Sequence, residues 1–252
     1  MNEYKKRYEL KNQAKDRLTG NYRSAILFLL TSGILRLCIS LVSDITIPFR
    51  NVAGTIIGVI LSYAVSVLLS VLDIGVAYFY LKLSCNQPLR MADLFYGFKE
   101  QPNKCLAVAA SICGLSFLFH IPARVFSYLL DGGFFPALAL YGVPTLAWEL
   151  LASLVCDLLF LPLSLALSQS YFLIADYPSL GAMDTLKMSM KIMKGQKWRL
   201  FVLQLSFIPL LILASFTCCS LGVLWVYPYM QMTYTFFYLD LMNGPAKSHT
   251  QN

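Results

Sequence analysis

Two stretches of this chain leave it few choices. From Ser24 to Val42 the only charged residue is Arg36, and from Val52 to Leu81 the only one is Asp73. A helix rises about 1.5 Å per residue, so roughly 20 apolar residues reach across the roughly 30 Å of bilayer hydrocarbon. A soluble helix buries one stripe and solvates the rest, and it does not run this far without charge. Backbone in lipid must satisfy its own hydrogen bonds, so these runs are read as helices. Composition agrees: 13% of the 252 residues are charged, against about 25% in soluble domains. The expected fold is an all-α polytopic membrane protein forming a single integral membrane domain. About six spans are expected, near 24–43, 52–81, 104–122, 146–175, 199–219 and 221–241, with an amphipathic segment at 1–23 and a tail at 242–252. Pro228 and Gln231 interrupt the last of these runs. The first run is long enough to span and lacks a small-residue cleavage site, so it reads as an uncleaved span.

Lysine and arginine set the orientation. Seventeen of the 20 fall before the first span, between the second and third, between the fourth and fifth, or in the tail. Only Arg50 and Arg124 fall on the other side, and Arg36 lies within the membrane. Such a bias in short loops places both termini in the cytoplasm. It also accounts for the net charge of +7 without nucleic acid. Seven cysteines lie mostly in apolar segments with no C-x-x-C pair, as small buried hydrophobes do.

The chain reads as three pseudo-repeated hairpins. The entries LTGNYRSAILFLL, LFYGFKEQPNKCLAVAA and IMKGQKWRLFVLQL each pass from an amphipathic stretch through Gly20, Gly97 or Gly195 into a span. Each glycine is expected to end its surface helix, and Tyr22, Phe98 and Trp198 to anchor at the headgroups. In the third entry Leu180, Met183, Leu186, Met190 and Met193 recur at helical spacing, with Lys187, Lys191 and Lys194 on another face. That pattern suits a helix on anionic inner-leaflet lipids, or one packed on the bundle with its lysines solvated.

The segments YELKNQAKDRLTGNYRSAI, MADLFYGFK and MDTLKMSMKIMKGQKWRLFVLQLSFIPLL, together with LGVLWVYPYMQMTYTFFYLDL, resemble domain-of-unknown-function family 975 of bacterial integral membrane proteins. The resemblance implies a bacterial plasma membrane of the Gram-positive kind. It brings no activity, substrate or catalytic residue with it.

No P-loop, G-x-S-x-G or H-E-x-x-H motif is present, so no catalytic residue, metal or cofactor is expected. The two histidines are His249 in the tail and His120 at a span end, where an interfacial anchor is expected. Arg36, Asp73 and Asp157 are the intramembrane ionisable residues, and a charge at mid-bilayer costs at least ~2.5–3.5 kcal/mol. Taking the middle of each apolar run as the midplane puts Arg36 and Asp157 about 4 Å to its outer side and Asp73 about 9 Å to its inner side. An Arg36–Asp157 pair is therefore expected, with Asp73 next in line, serving helix register or a substrate path. The nearly uncharged connection from Ile121 to Ala147 is expected at the outer interface or folded back as a lid.

The leading functional expectation is a non-catalytic plasma-membrane component that accommodates a lipid or amphiphile. The alternatives are a scaffold that binds another membrane protein and, last, a membrane-embedded lipid enzyme.

Overall fold

The computed structural model describes residues 4–45, 52–131, 145–216 and 221–244. Arg50, Cys218, Cys219 and the 132–144 segment fall outside them, as do Lys247 and the rest of the tail after Gly244.

All regular structure among the described residues is helical. In chain order it comprises α1 (Arg7–Leu18), α2 (Tyr22–Ile45), α3 (Val52–Ser84), a 3-10 turn (Met91–Phe95), α4 (Tyr96–Lys99) and α5 (Pro102–Asp131). There follow α6 (Thr145–Leu167), α7 (Ser170–Asp176), α8 (Ala182–Ile192), α9 (Lys197–Leu205), α10 (Ile208–Phe216) and α11 (Leu221–Asn243). Five stretches are long and apolar enough to cross a membrane: Tyr22–Leu41, Ile56–Ser84, Pro102–Phe126, Leu150–Asp176 and Lys197–Phe216. Their outward side chains include Ile34, Leu37, Ile60, Leu159 and Leu213, each more than half exposed. Apolar cover on this scale is a liability in water and the ordinary surface of a protein in hydrocarbon.

The sixth expected span forms α11 and passes unbroken through Pro228. It is less apolar because it is buried in protein rather than facing lipid. Met232, Thr233, Thr235, Phe237 and Tyr238 are fully buried, and both threonines donate to carbonyls four residues back. The fourth and fifth runs each contain a break, at Ser168–Gln169 and at Ser206–Phe207. The connection expected to begin at Ile121 is helical as far as Asp131, since α5 continues through Pro122.

α1 and the end of α11 meet at one end of the bundle, where most of the described basic residues gather. Leu10, Ala14 and Leu18 of α1 are fully buried at spacings of four residues. Leu10 packs with Leu203, Phe207, Phe237 and Leu241; Ala14 and Leu18 pack with Phe28, Phe79 and Leu94. Arg17 donates to the carbonyls of Leu83 (3.0 Å) and Ser84 (2.6 Å), so a cation meets the carbonyls left open where α3 ends. Lys82 pairs with Asp93 at 2.9 Å and ties α3 to the 3-10 turn. Burial beneath this layer pushes the Tyr96 hydroxyl up to about 12.

The three entry glycines do not serve one purpose. Gly20 and Gly195 have φ of 87° and 81°, the left-handed geometry that closes a helix. Gly97 instead lies buried inside α4, where a Cβ would come within 2.8 Å of Val71 Cγ1 and 3.1 Å of the Val71 carbonyl oxygen. There the absence of a side chain matters rather than the backbone angle.

The lysine-bearing helix also differs from expectation. α8 buries Thr185, Leu186 and Ser189, and Met193 just beyond its end, with the Ser189 hydroxyl donating to the Ala166 carbonyl at 2.8 Å. Met183 and Met190 are exposed, alongside Lys187, Lys191 and Lys194. Small hydroxyl residues allow close approach to α6 and satisfy themselves on backbone, so they share the packed face with Leu186.

Gly75 supports the closest contact in the basic end. A Cβ there would lie 2.0 Å from the Leu94 carbonyl oxygen. Backbone cannot rotate aside, so Gly75→Ala should exceed the ~1–3 kcal/mol typical of overpacking. Gly33, with nothing within 4 Å, is the control. Thermal unfolding in detergent should show a marked loss for Gly75→Ala and almost none for Gly33→Ala. Equal midpoints would show that the close approach does not exist.

Candidate functional site

A seam of polar side chains runs through the apolar bundle. On α3, Ser62, Ser66, Ser70 and Asp73 recur at intervals of four, four and three, which places them on one helix face. Cys113, Ser116 and His120 do the same on α5, and Ser164, Ser168 and Tyr171 across the α6–α7 break. Serine is affordable here because its hydroxyl can donate back along its own helix. Ser62 bonds the Gly58 carbonyl and Ser66 the Ser62 carbonyl, each at 2.8 Å; Ser164 and Ser168 bond those of Leu161 and Leu165. Each oxygen keeps lone pairs to offer the seam.

The seam opens into two cavities. One, of about 260 Å³, lies between α3 and α5 toward the end away from the termini, lined by Ser62, Tyr63, Ser66, Cys113, Ser116, Phe117, His120 and Arg124. The other, of about 330 Å³, lies deeper among α3, α5, α6, α7 and α11. Its walls are Val76, Ala77, Ile112, Leu167 and Phe172, with polar groups from Asp73, Ser164, Ser168, Tyr171, Gln231 and Tyr234. Ser70 and Cys113 touch at 3.1 Å between the two, and Tyr171 also reaches Ser70. Tyr63 donates to the Ala110 carbonyl at 2.9 Å and fixes α3 against α5.

Arg36 pairs with Asp73 at 2.6 Å, not with Asp157. The expected pairing failed because the middle of the second apolar run is not mid-bilayer: Val76–Leu83 packs inside the basic end. Counted from the basic ends of their helices, Arg36 and Asp73 stand about 21 Å and 17 Å in, within reach of an arginine side chain. By the same count Asp157 stands about 29 Å in, level with His120 at about 27 Å. Asp157 Oδ1 lies 3.0 Å from His120 Nε2, so His120 has a partner and does more than anchor an interface.

The His120 contacts restrict its protonation. Nδ1 lies 2.7 Å from the Ser116 carbonyl, which can only accept, so Nδ1 carries a hydrogen. Nε2 faces Asp157 Oδ1.

The other expected site residues are placed as follows. Tyr22 is half-buried against Trp225, with ring centroids 5.1 Å apart. Phe98 packs between two core clusters, whereas Trp198 is 72% exposed. Lys187, Lys191 and Lys194 are exposed on one side of the basic end. Among the described residues no three histidine, cysteine or acidic side chains converge to hold a metal. The serine face of α3, which lines the cavity beside α5, is the pattern that reading by apolar runs passes over, although its four-residue spacing is visible in the sequence.

The family model described as protein of unknown function (DUF975) matches residues 1–244. The chain belongs to that family. No curated protein and no solved structure matches it. The family description names no activity, so function must be argued from the seam itself.

A double-mutant cycle tests the charge pairing. Stranding a buried charge costs as much as ~3–5 kcal/mol, while replacing both partners by apolar residues can be nearly neutral. Arg36→Leu and Asp73→Leu should each destabilise the detergent-solubilised protein, and the double variant should recover much of the loss. Arg36→Leu with Asp157→Leu should be additive. Recovery in that second combination instead would restore the pairing with Asp157.

Proposed function

We propose that this protein is a non-catalytic component of the bacterial cell membrane that accommodates a lipid or amphiphile among its helices. The observation that carries the reading is the central cavity, lined largely by apolar surface with polar groups from Asp73, Ser168, Tyr171 and Gln231. That combination suits a molecule with a polar end and an aliphatic body. At about 330 Å³ the space is at the lower end for ligand pockets. It admits a headgroup or a length of acyl chain rather than a whole phospholipid. The α6–α7 break beside Ser168 supports the reading, because irregular backbone at membrane depth is tolerated where it lines a cavity.

In this reading the chain crosses six times as three hairpins, with both termini in the cytoplasm. The support is the lysine and arginine bias together with the meeting of α1 and α11 at the basic end. Lys187, Lys191 and Lys194, with exposed Met183 and Met190 beside them, then face the anionic inner leaflet.

Filling the cavity tests the proposal. Ser164→Leu places branched carbon where Ser164 now lines the space. Mass spectrometry of protein purified from native membranes should find an amphiphile with wild type and a much smaller amount with the variant, at similar thermal stability. The same lipid complement in both proteins would rule the cavity out as its site.

A further inference from the structure

A recess of about 610 Å³ lies between the start of α1 and the α9–α10 break, and basic side chains dominate it: Lys5, Lys6, Arg7, Lys11 and Arg199. Among the described residues no carboxylate lines it. The described acids beside it are engaged elsewhere. Asp240 accepts from Arg199 Nη2 and from the Lys5 amide, and Glu9 accepts from the Lys6 amide at 3.2 Å.

This placement opposes helix stability. The first turn of a helix carries partial positive charge and favours acids, yet here Lys5, Lys6 and Arg7 crowd the start of α1. Arg199 donates through Nη2 to Asp240 and to the Lys5 carbonyl. Lys11 is held only by the Ser206 carbonyl at 3.3 Å and the Phe207 ring at 4.2 Å. Partial burial, and then the charge of Arg7, push its ammonium below the usual lysine range. An anion seated here would relieve the repulsion among Lys5, Lys6, Arg7 and Lys11.

We propose that this recess binds a phosphate-bearing anion, supplied either by a phospholipid headgroup or by a soluble phosphate. The proposal does not rest on the central cavity, so a Ser164→Leu protein that has lost its amphiphile should still bind here.

Thermal shift of the purified full chain tests it, with dioctanoyl phosphatidylglycerol, dioctanoylglycerol and inorganic phosphate as probes. Lys6 and Arg7 are exposed, so Lys6→Gln/Arg7→Gln leaves the core intact. The phosphatidylglycerol should stabilise saturably, and that double variant should bind it at least about tenfold more weakly. Lys187→Gln/Lys191→Gln/Lys194→Gln should bind as wild type does. Inorganic phosphate binding as tightly would identify a soluble anion as the source; phosphatidylglycerol alone would identify the headgroup. Dioctanoylglycerol binding equally well, no saturable binding, or unchanged affinity in the Lys6/Arg7 variant would overturn the site and leave these charges with an orienting role alone.

Discussion

Hydrocarbon solvates neither a carboxylate nor a serine, so every polar group placed at membrane depth must find its partner inside the protein. Arg36 and Asp73 face each other across α2 and α3, and His120 and Asp157 across α5 and α6. The serines between them bond their own helices and present what remains of their capacity to one another. The result is a polar seam within an otherwise apolar bundle, whose outer surface carries exposed leucine and isoleucine.

The basic end supplies the rigid frame on which that interior hangs. Arg17 closes the end of α3, Lys82 holds the 3-10 turn, and Gly75 lets the Leu94 backbone come close enough to be held. Arg199 and Asp240 join α9 to α11. Cation–ring contacts of Lys11 with Phe207 and of Arg199 with Phe237 bind charge to the aromatic core. Against this frame the opposite ends of the helices carry exposed aliphatic side chains and the more open cavity.

Reading apolar runs recovers the helical class and the position of the long apolar helices, because length without charge is a direct consequence of bilayer thickness. Helices Tyr22–Ile45, Val52–Ser84 and Leu221–Asn243 sit within a few residues of their expected runs. The residues that pair across helices were less legible. Depth taken from a run's midpoint fails when part of the run is packed in protein, which is why Arg36 was assigned to Asp157. Hydropathy also misleads in part: Thr185 and Ser189 join Leu186 on the packed face of α8, while Met183 and Met190 stay exposed. Gly97 looks like Gly20 and Gly195 in sequence, and only the closeness of Val71 distinguishes it. The serine face of α3 was visible as spacing. Its importance depends on Cys113, His120 and Tyr171 arriving from other helices, and one helix's sequence cannot specify that.

The central claim is that one face of α3 lines a hydrated seam while the opposite face meets lipid. Spin labels placed singly at residues 56–77, in a background with the native cysteines replaced, report this directly through collision with a water-soluble nickel chelate and with oxygen. The account predicts chelate accessibility oscillating near the helical period, with maxima at 62, 66 and 70 and at 73, and oxygen accessibility in antiphase at 57, 60 and 68. Uniformly low chelate accessibility across the segment would contradict it, showing a dry interior in which the serines merely bond their own helix.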